Sequence, residues 1–209
     1  MVVPAPRLRP ADAAAHLARR DRVLAQLVAR HGPPLLGRRV PASARFAAVA
    51  ESIVYQQLNG RAAATIHDRV LQGLGGTMSA DAILATPIDV LRGCGLSAAK
   101  TAALVDLATK VRAGAVTFDR IGRLPDDEVV AQLVQVKGIG VWTAEMFLLF
   151  TLGRLDVWPV GDYGVRTGFA RAWGLAEVPT PKELVARGDP FRPYRSVVAW
   201  YCWRALDAG

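Results

Sequence analysis

The sequence predicts an all-α protein. Apolar residues recur at helical spacing along most of the chain, for example at Leu104, Leu107, Ala108 and Val111. The alternation of apolar and polar residues that is typical of strands is hard to find. Residues that favour helix starts stand between the apolar segments. We therefore expect about eight to eleven short helices.

Several of these helices have recognisable first residues. Ser79 and Ser97 can accept hydrogen bonds from the free N–H groups of the helices that follow them. Pro125 and the three acidic residues after it suit the first turn of another helix. Breaks rich in glycine or proline, none of them long enough to be a flexible interdomain linker, lie at 32–34, 73–76, 114, 159–161 and 188–193.

Composition limits the domain organisation and the kind of partner. The 209 residues, with 52% hydrophobic content, are enough for one compact domain or two small lobes. An excess of 26 Lys and Arg over 18 Asp and Glu gives a net charge of +8 and a pI near 10.2. This charge suits a polyanionic partner, which by charge alone is DNA, RNA or an anionic membrane.

The chain shows no targeting segment and no metal-ligand pattern. Segment 1–32 lacks the apolar core of a signal peptide, and no segment approaches the ~18 apolar residues of a membrane span. We therefore expect a soluble, cytoplasmic protein that does not act at a membrane. Cys94 and Cys202 are too far apart to form a zinc site or a four-cysteine iron–sulfur loop, so we expect buried, reduced thiols. The three histidines show no ligand spacing and are assigned no role. We expect no metal and no cofactor.

A glycine hairpin stands between two predicted helices in segment 133–168. Gly138 and Gly140 flank Ile139, and glycine lets the chain turn tightly and bring backbone N–H groups close to an anion. Such a turn can hold a phosphate without reading base sequence. Taken alone, the pattern is equally typical of a tight helix–helix turn. Lys137, just before the hairpin, adds positive charge at the same place.

Asp162 ends a Pro-Val-Gly-Asp turn before a predicted helix over 163–173. Helix capping alone would explain this position, because an aspartate there accepts hydrogen bonds from free N–H groups. A carboxylate at a helix N-terminus is also kept ionised, as an electrostatic catalyst must be. The capping and catalytic roles are therefore compatible.

Together, the hairpin and Asp162 resemble the helix-hairpin-helix DNA glycosylase superfamily. The chain is similar in particular to the 3-methyladenine DNA glycosylase II family, in which an essential aspartate follows the hairpin, as Asp162 follows Gly138 by 24 residues here. The similarity covers residues 40–209, and segments 52–66, 95–108 and 193–203 also carry it.

The resemblance implies a two-lobed helical fold with the DNA and active-site cleft between the lobes. Lobe A is expected at 1–44 plus 156–209, and lobe B at 45–155, with the helix-hairpin-helix at 126–152. The best-known members begin with a further β-rich domain, whereas about forty helical-looking residues precede the matched region here. We therefore expect this chain to keep only the two helical lobes.

The resemblance also implies an activity in base excision repair. The enzyme would flip an alkylated purine, such as 3-methyladenine or 7-methylguanine, out of double-stranded DNA and hydrolyse its N-glycosidic bond, leaving an abasic site. Asp162 would stabilise the oxocarbenium-like sugar. We expect a monomer that binds one duplex.

Further site residues follow from the resemblance. The residues expected to bind the DNA backbone are Lys137, where many members carry proline, and Gly138, Ile139, Gly140 and Thr143. The expected walls of the base pocket are Trp142, Met146, Tyr163 and Tyr194, because aromatic faces attract a cationic base. The expected wedge is Gln56, Gln57 and Leu58, although both glutamines would also suit hydrogen bonds at a helix end. Trp158, Trp173, Trp200 and Trp203 are assigned to the core.

Position 142 bears on the reaction type. Members that also cut the DNA strand carry a lysine two residues after the second hairpin glycine, where this chain has Trp142, so we expect a monofunctional enzyme.

The sequence leaves two alternatives open. One is a glycosylase for neutral lesions such as hypoxanthine or etheno-adducts. The other is a non-catalytic DNA-binding module, which would keep Gly138 and Gly140 but would not need Asp162.

Overall fold

A computed structural model describes residues 9–37 and 39–207, and the predicted lobe residues 1–8, 38, 208 and 209 lie outside the described part. The described residues form twelve α-helices and no strand, which confirms the all-α prediction. The helices are α1 Pro10–Ala18, α2 Arg22–His31, α3 Arg45–Tyr55, α4 Gly60–Gly73, α5 Ala80–Ala85, α6 Ile88–Gly93, α7 Ala98–Arg112, α8 Asp126–Leu133, α9 Val141–Met146, α10 Tyr163–Trp173, α11 Pro181–Gly188 and α12 Arg195–Leu206.

Local signals placed several helix starts correctly. The Ser79 hydroxyl accepts a hydrogen bond from the Ala82 N–H at 3.2 Å, and Ser97 does the same for the Lys100 N–H at 3.2 Å. The acidic residues after Pro125 form the first turn of α8. The expected upper limit of eleven helices was wrong by one. Pro87, which lacks a backbone N–H, separates the two short helices α5 and α6.

The chain divides into two compact units. Unit 1 consists of Met1–Arg39 and Leu148–Gly209, and unit 2 is Val40–Phe147. The segment Phe147–Thr151, which directly follows α9, is a π-helix.

The core of unit 1 is built around α10 and α12. Seven consecutive residues of α12, Ser196–Cys202, are buried. Gly168 allows α10 to approach α12 closely, because a Cβ at this position would collide with the backbone carbonyl of Cys202. Burial raises the pKa of the Cys202 thiol, and the negative charge of Asp162 adds to this effect. Cys94 and Cys202 are both buried and free, as expected.

The predicted core tryptophans all pack against this core, but to different depths. Trp158 and Trp200 are buried, whereas Trp173 and Trp203 are only partly buried at its edge. The phenol of Tyr201 donates a hydrogen bond to the Gly32 carbonyl at 2.7 Å. Burial raises the pKa of Tyr201 to about 12.

In unit 2, α7 packs against α3, α5 and α6. Its apolar residues Leu104 and Leu107 are fully buried, as are Ile53 of α3 and Val129 of α8. Removing these side chains from water supplies the main favourable energy for assembling unit 2. No helix within the described ranges is both long and apolar enough to cross a membrane.

Candidate functional site

The hairpin in unit 2 joins α8 to α9. The Val136 N–H donates to the Leu133 carbonyl at 3.0 Å, and the Ile139 N–H donates to the Val136 carbonyl at 3.1 Å. Gly138 has a φ of +76°, a conformation that glycine adopts without strain. Gly140 precedes α9, and a Cβ added there would meet no atom within 4 Å. The buried side chain of Ile139 anchors the turn, while both glycines are exposed.

The hairpin is held from one side by α7. The Lys137 N–H donates a hydrogen bond to Asp106 Oδ2 at 2.8 Å, and Lys110 Nζ lies 2.8 Å from both oxygens of the same carboxylate. Burial opposes ionisation of Asp106, but the hydrogen bonds from Lys110 and Lys137 and the positive charges of both lysines outweigh it. The pKa of Asp106 therefore lies below its ordinary value.

A cavity of about 560 Å³ lies beside the hairpin in unit 2. It brings together six of the predicted site residues, namely Gln56, Gln57, Gly138, Trp142, Thr143 and Met146. Trp142 is 50% exposed, so much of its indole is accessible to a ligand. Two further lining residues, Ser52 and Tyr55, were not predicted. Their spacing of three residues on α3, just before Gln56, was the available signal.

The predicted wedge segment follows α3. The Gln56 side-chain amide donates a hydrogen bond to the Gly138 carbonyl at 3.0 Å, so this side chain is bound to the hairpin, 82 positions further along the chain. Gln57 has a φ of +57°, which is uncommon for a residue other than glycine. Gln57 and Leu58 are exposed. Their side chains are therefore more available to a ligand than that of Gln56.

Asp162 lies in unit 1 at the start of α10. Its Oδ1 accepts a hydrogen bond from the Val165 N–H at 2.7 Å, so the predicted capping role is confirmed. Its backbone N–H donates to the Pro159 carbonyl at 2.9 Å, which closes the preceding turn. Asp162 is only 9% exposed. The carboxylate is thus fixed in position before any ligand binds.

Trp203 is a second support of Asp162 that the sequence did not predict. Its indole Nε1–H donates a hydrogen bond to Asp162 Oδ1 at 3.0 Å. The Trp203 ring also stacks on Phe150, with ring centroids 5.8 Å apart and an interplanar angle of 27°. Phe150 is 45% exposed. No local pattern could have linked Trp203 to Asp162, because the two residues are 41 positions apart in the chain.

The two tyrosines predicted to line the base pocket occupy different places in unit 1. Tyr163 is the first residue of α10, is 68% exposed and lies under the Arg166 guanidinium at 5.7 Å. Tyr194 packs edge-to-face on His16 with ring centroids 5.6 Å apart. It lines a cavity of about 480 Å³ whose wall includes the three arginines Arg9, Arg39 and Arg154.

Comparisons with known proteins identify the family of this chain. Residues 50–193 match the HhH-GPD superfamily base excision DNA repair protein family. DNA-3-methyladenine glycosylase 1 of Schizosaccharomyces pombe is 33% identical over 156 residues, which cover 73% of this chain and 68% of that protein. The alkylbase DNA glycosidase-like protein mag2 of the same organism is 28% identical, and the match covers 90% of this chain and 90% of that protein.

Solved structures give the same result. A Schizosaccharomyces pombe 3-methyladenine DNA glycosylase in complex with abasic DNA matches with a TM-score of 0.79 and 30% identity, over 92% of this chain and 95% of that one. The DNA-3-methyladenine glycosidase of Bacillus halodurans matches with a TM-score of 0.84 and 32% identity, over 94% and 89%. The family resemblance inferred from the hairpin and Asp162 is thus confirmed, and the chain belongs to the HhH-GPD superfamily of base excision DNA repair proteins.

Proposed function

We propose that this protein is a monofunctional DNA glycosylase that removes 3-methyladenine and 7-methylguanine from double-stranded DNA and leaves abasic sites. Three of the matches described above are named 3-methyladenine DNA glycosylases or glycosidases, which supports this substrate class. The observation that carries the proposal is the Asp162 carboxylate, which is 9% exposed and held by both the Val165 N–H and the Trp203 indole. A DNA-binding module without catalysis could use Asp162 as the cap of α10, but it would not need the second hydrogen bond that Trp203 donates to the same oxygen.

Asp162 would act on the sugar of the damaged nucleotide. An alkylated purine carries positive charge, so when the bond between its nitrogen and the sugar C1′ breaks, the bond electrons go to the base, which leaves as a neutral molecule. The sugar becomes oxocarbenium-like, and the negative charge of Asp162 stabilises it. Water then adds to C1′ and gives up one proton, with Asp162 as the candidate general base.

The cavity beside the hairpin would receive the base. Its volume of about 560 Å³ lies within the usual range of small-molecule pockets. The exposed face of Trp142 would attract a cationic purine more strongly than a normal base, and Met146 would add a polarisable contact. The pocket roles of Tyr163 and Tyr194 rest on the family resemblance alone.

DNA would be bound mainly through its backbone. The exposed backbone of Gly138 and Gly140 and the charge of Lys137 would hold a phosphate, and the net charge of +8 would favour the approach of any DNA sequence. Gln57 and Leu58 would fill the space left by the flipped base, because the amide of Gln56 is already hydrogen-bonded to Gly138. We propose that one monomer acts on one duplex inside the cell.

The proposal is tested by incubating the purified protein with three duplexes, one methylated, one carrying hypoxanthine and one carrying ethenoadenine. Free bases are then quantified by chromatography. We expect release of 3-methyladenine and 7-methylguanine at rates well above those of the two neutral lesions. If only hypoxanthine and ethenoadenine are released, the substrates are neutral lesions and not alkylated purines. If the protein binds all three duplexes and releases no base, it is not a glycosylase for these lesions.

A further inference from the structure

One face of α7 touches both segments that the proposed function assigns to DNA binding. Lys100, Ala103 and Asp106 are spaced by three residues, so they lie on successive turns of the same helix face. Lys100 contacts the end of α3, just before the wedge segment 56–58. Ala103 and Asp106 contact the hairpin.

The contact with the hairpin is made through its backbone. Asp106 Oδ2 accepts the Lys137 N–H at 2.8 Å, which fixes the residue directly before Gly138. A Cβ added to Gly138 would lie 3.4 Å from the Ala103 Cβ, so no more than about one methyl group would fit between the hairpin and α7 at this point. The Asp106 side chain is 16% exposed, and its ion pair with Lys110 holds it in place.

The contact with the wedge segment is made through α3. Lys100 Nζ donates a hydrogen bond to the Val54 carbonyl at 2.7 Å. Val54 is the penultimate residue of α3, where backbone carbonyls lack partners within the helix and a positive charge is favourable. Lys100 therefore holds the last two residues of α3, Val54 and Tyr55, after which the chain continues into the segment 56–58.

Gln56 completes a closed set of contacts. Its side-chain amide links the wedge segment directly to the Gly138 carbonyl at 3.0 Å. The wedge segment and the hairpin are thus bound to each other and, through Lys100 and Asp106, to one rigid helix. We propose that Lys100 and Asp106 are positioning residues that hold the wedge and the hairpin at the spacing needed to bind kinked DNA. This inference rests on the proposed function.

The test uses a fluorescently labelled duplex that contains a tetrahydrofuran abasic-site analogue. We expect Asp106→Ala to raise the Kd about tenfold, because the Lys137 amide loses a charge-assisted hydrogen bond. Asp106→Asn should stay within about threefold of the parent, since its amide oxygen can still accept the Lys137 N–H. Asp81→Ala is the matched control, because Asp81 pairs with Arg112 of α7 in an exposed ion pair at 2.6 Å, outside the contacts described here. Asp81→Ala should leave the Kd unchanged.

Lys100→Met tests the other end of α7. A 2-aminopurine placed next to the abasic analogue becomes brighter when a wedge unstacks it. At saturating protein, we expect Lys100→Met to reduce this fluorescence increase at least about twofold, and the parent and Asp81→Ala to show it in full. A loss of folded protein alone would lower the fraction of active molecules without changing the Kd or the signal of the bound complex.

The possible results separate the inference from the proposed function. If Asp106→Ala and Lys100→Met are folded and match the parent in Kd and 2-aminopurine signal, the inference is overturned and the proposed function stands. If the parent itself does not bind the abasic duplex, both the inference and the proposed function fail. If Asp106→Ala does not fold, the Lys100→Met result decides alone.

Discussion

The indole of Trp203 donates a hydrogen bond to Asp162 Oδ1 at 3.0 Å, and the same oxygen accepts the Val165 N–H at 2.7 Å. The orientation of the carboxylate is therefore set by one bond from its own helix and one from α12. A carboxylate that stabilises charge in a transition state must be oriented beforehand, because reorganising it during the reaction would cost energy.

The Trp203 hydrogen bond should matter for the rate of the reaction. Trp203→Phe removes the donor and keeps an aromatic ring, so we expect kcat to fall about tenfold, equivalent to ~1.4 kcal/mol, with DNA affinity unchanged. Trp173→Phe is the control, because the Trp173 indole also donates to an aspartate, Asp21, at 3.2 Å in the same unit. If the two variants lower kcat equally, Trp203 has no special role in catalysis. The rate of base release from methylated DNA under single-turnover conditions is measured for both variants and for the parent.

Gly138 should be needed for both stability and DNA binding. Gly138→Ala places a side chain at a positive φ and should lower the free energy of unfolding by about 1 kcal/mol. It should also weaken binding to undamaged DNA of any sequence. Gly114→Ala provides the comparison, because Gly114 has a φ of +74° but follows α7, outside the hairpin. Gly114→Ala should lose similar stability and no DNA affinity, and equal affinity losses in the two variants would show that strain alone explains the effect.

Trp142 should determine how well cationic bases are recognised. We expect Trp142→Ala to lower kcat/KM for 7-methylguanine release about tenfold, and Trp142→Phe to lower it less, because phenylalanine keeps an aromatic face. Affinity for undamaged DNA, measured in parallel, should change little. A loss as large with phenylalanine as with alanine would show that aromatic attraction is not the cause.

The reaction product distinguishes hydrolysis from strand cleavage. Because position 142 is not a lysine, we expect no covalent protein–DNA adduct when the reaction is run with sodium borohydride. The DNA strand should stay intact until the abasic site is cleaved by alkali. An adduct that survives denaturing electrophoresis would show that another amine of the protein forms a Schiff base.

Asp106 should contribute to stability in a pH-dependent way. Its folded-state pKa lies below the ordinary value of 3.8, so ionised Asp106 stabilises the fold above that value. This contribution is lost as the pH falls through the folded-state pKa. Asp106→Asn should therefore lose stability at neutral pH, and the difference from the parent should shrink in acid. Urea unfolding from neutral pH to about pH 3 measures the trend, and a difference independent of pH would contradict it.

Local features of the structure could be predicted from the sequence. The caps at Ser79 and Ser97 depend on residues three positions apart, and the role of Asp162 as a helix cap depends on Val165. The helices could be predicted for the same reason, because the apolar residues that form one helix face are also only three or four positions apart. The family resemblance assigned Trp142 and Met146 to the base pocket and Thr143 to DNA-backbone binding; these three residues line one cavity, whereas Tyr194 lines another.

Contacts between distant segments could not be predicted in this way. The Trp203 bond to Asp162 joins residues 41 apart, and the Asp106 bond to Lys137 joins residues 31 apart. Both depend on how whole helices pack, and no local pattern records that. Gln56 shows the limit of analogy as well, because its position suited two roles and only the structure shows its amide bound to Gly138.

The most direct measurement is single-turnover release of 3-methyladenine by the parent and by Asp162→Asn. Asparagine can still cap α10 and accept the Trp203 bond, so the variant should fold and bind abasic DNA like the parent while lacking the negative charge. We predict that its rate of base release falls about a hundred- to a thousandfold. A folded Asp162→Asn protein that releases 3-methyladenine at the parental rate would contradict the account.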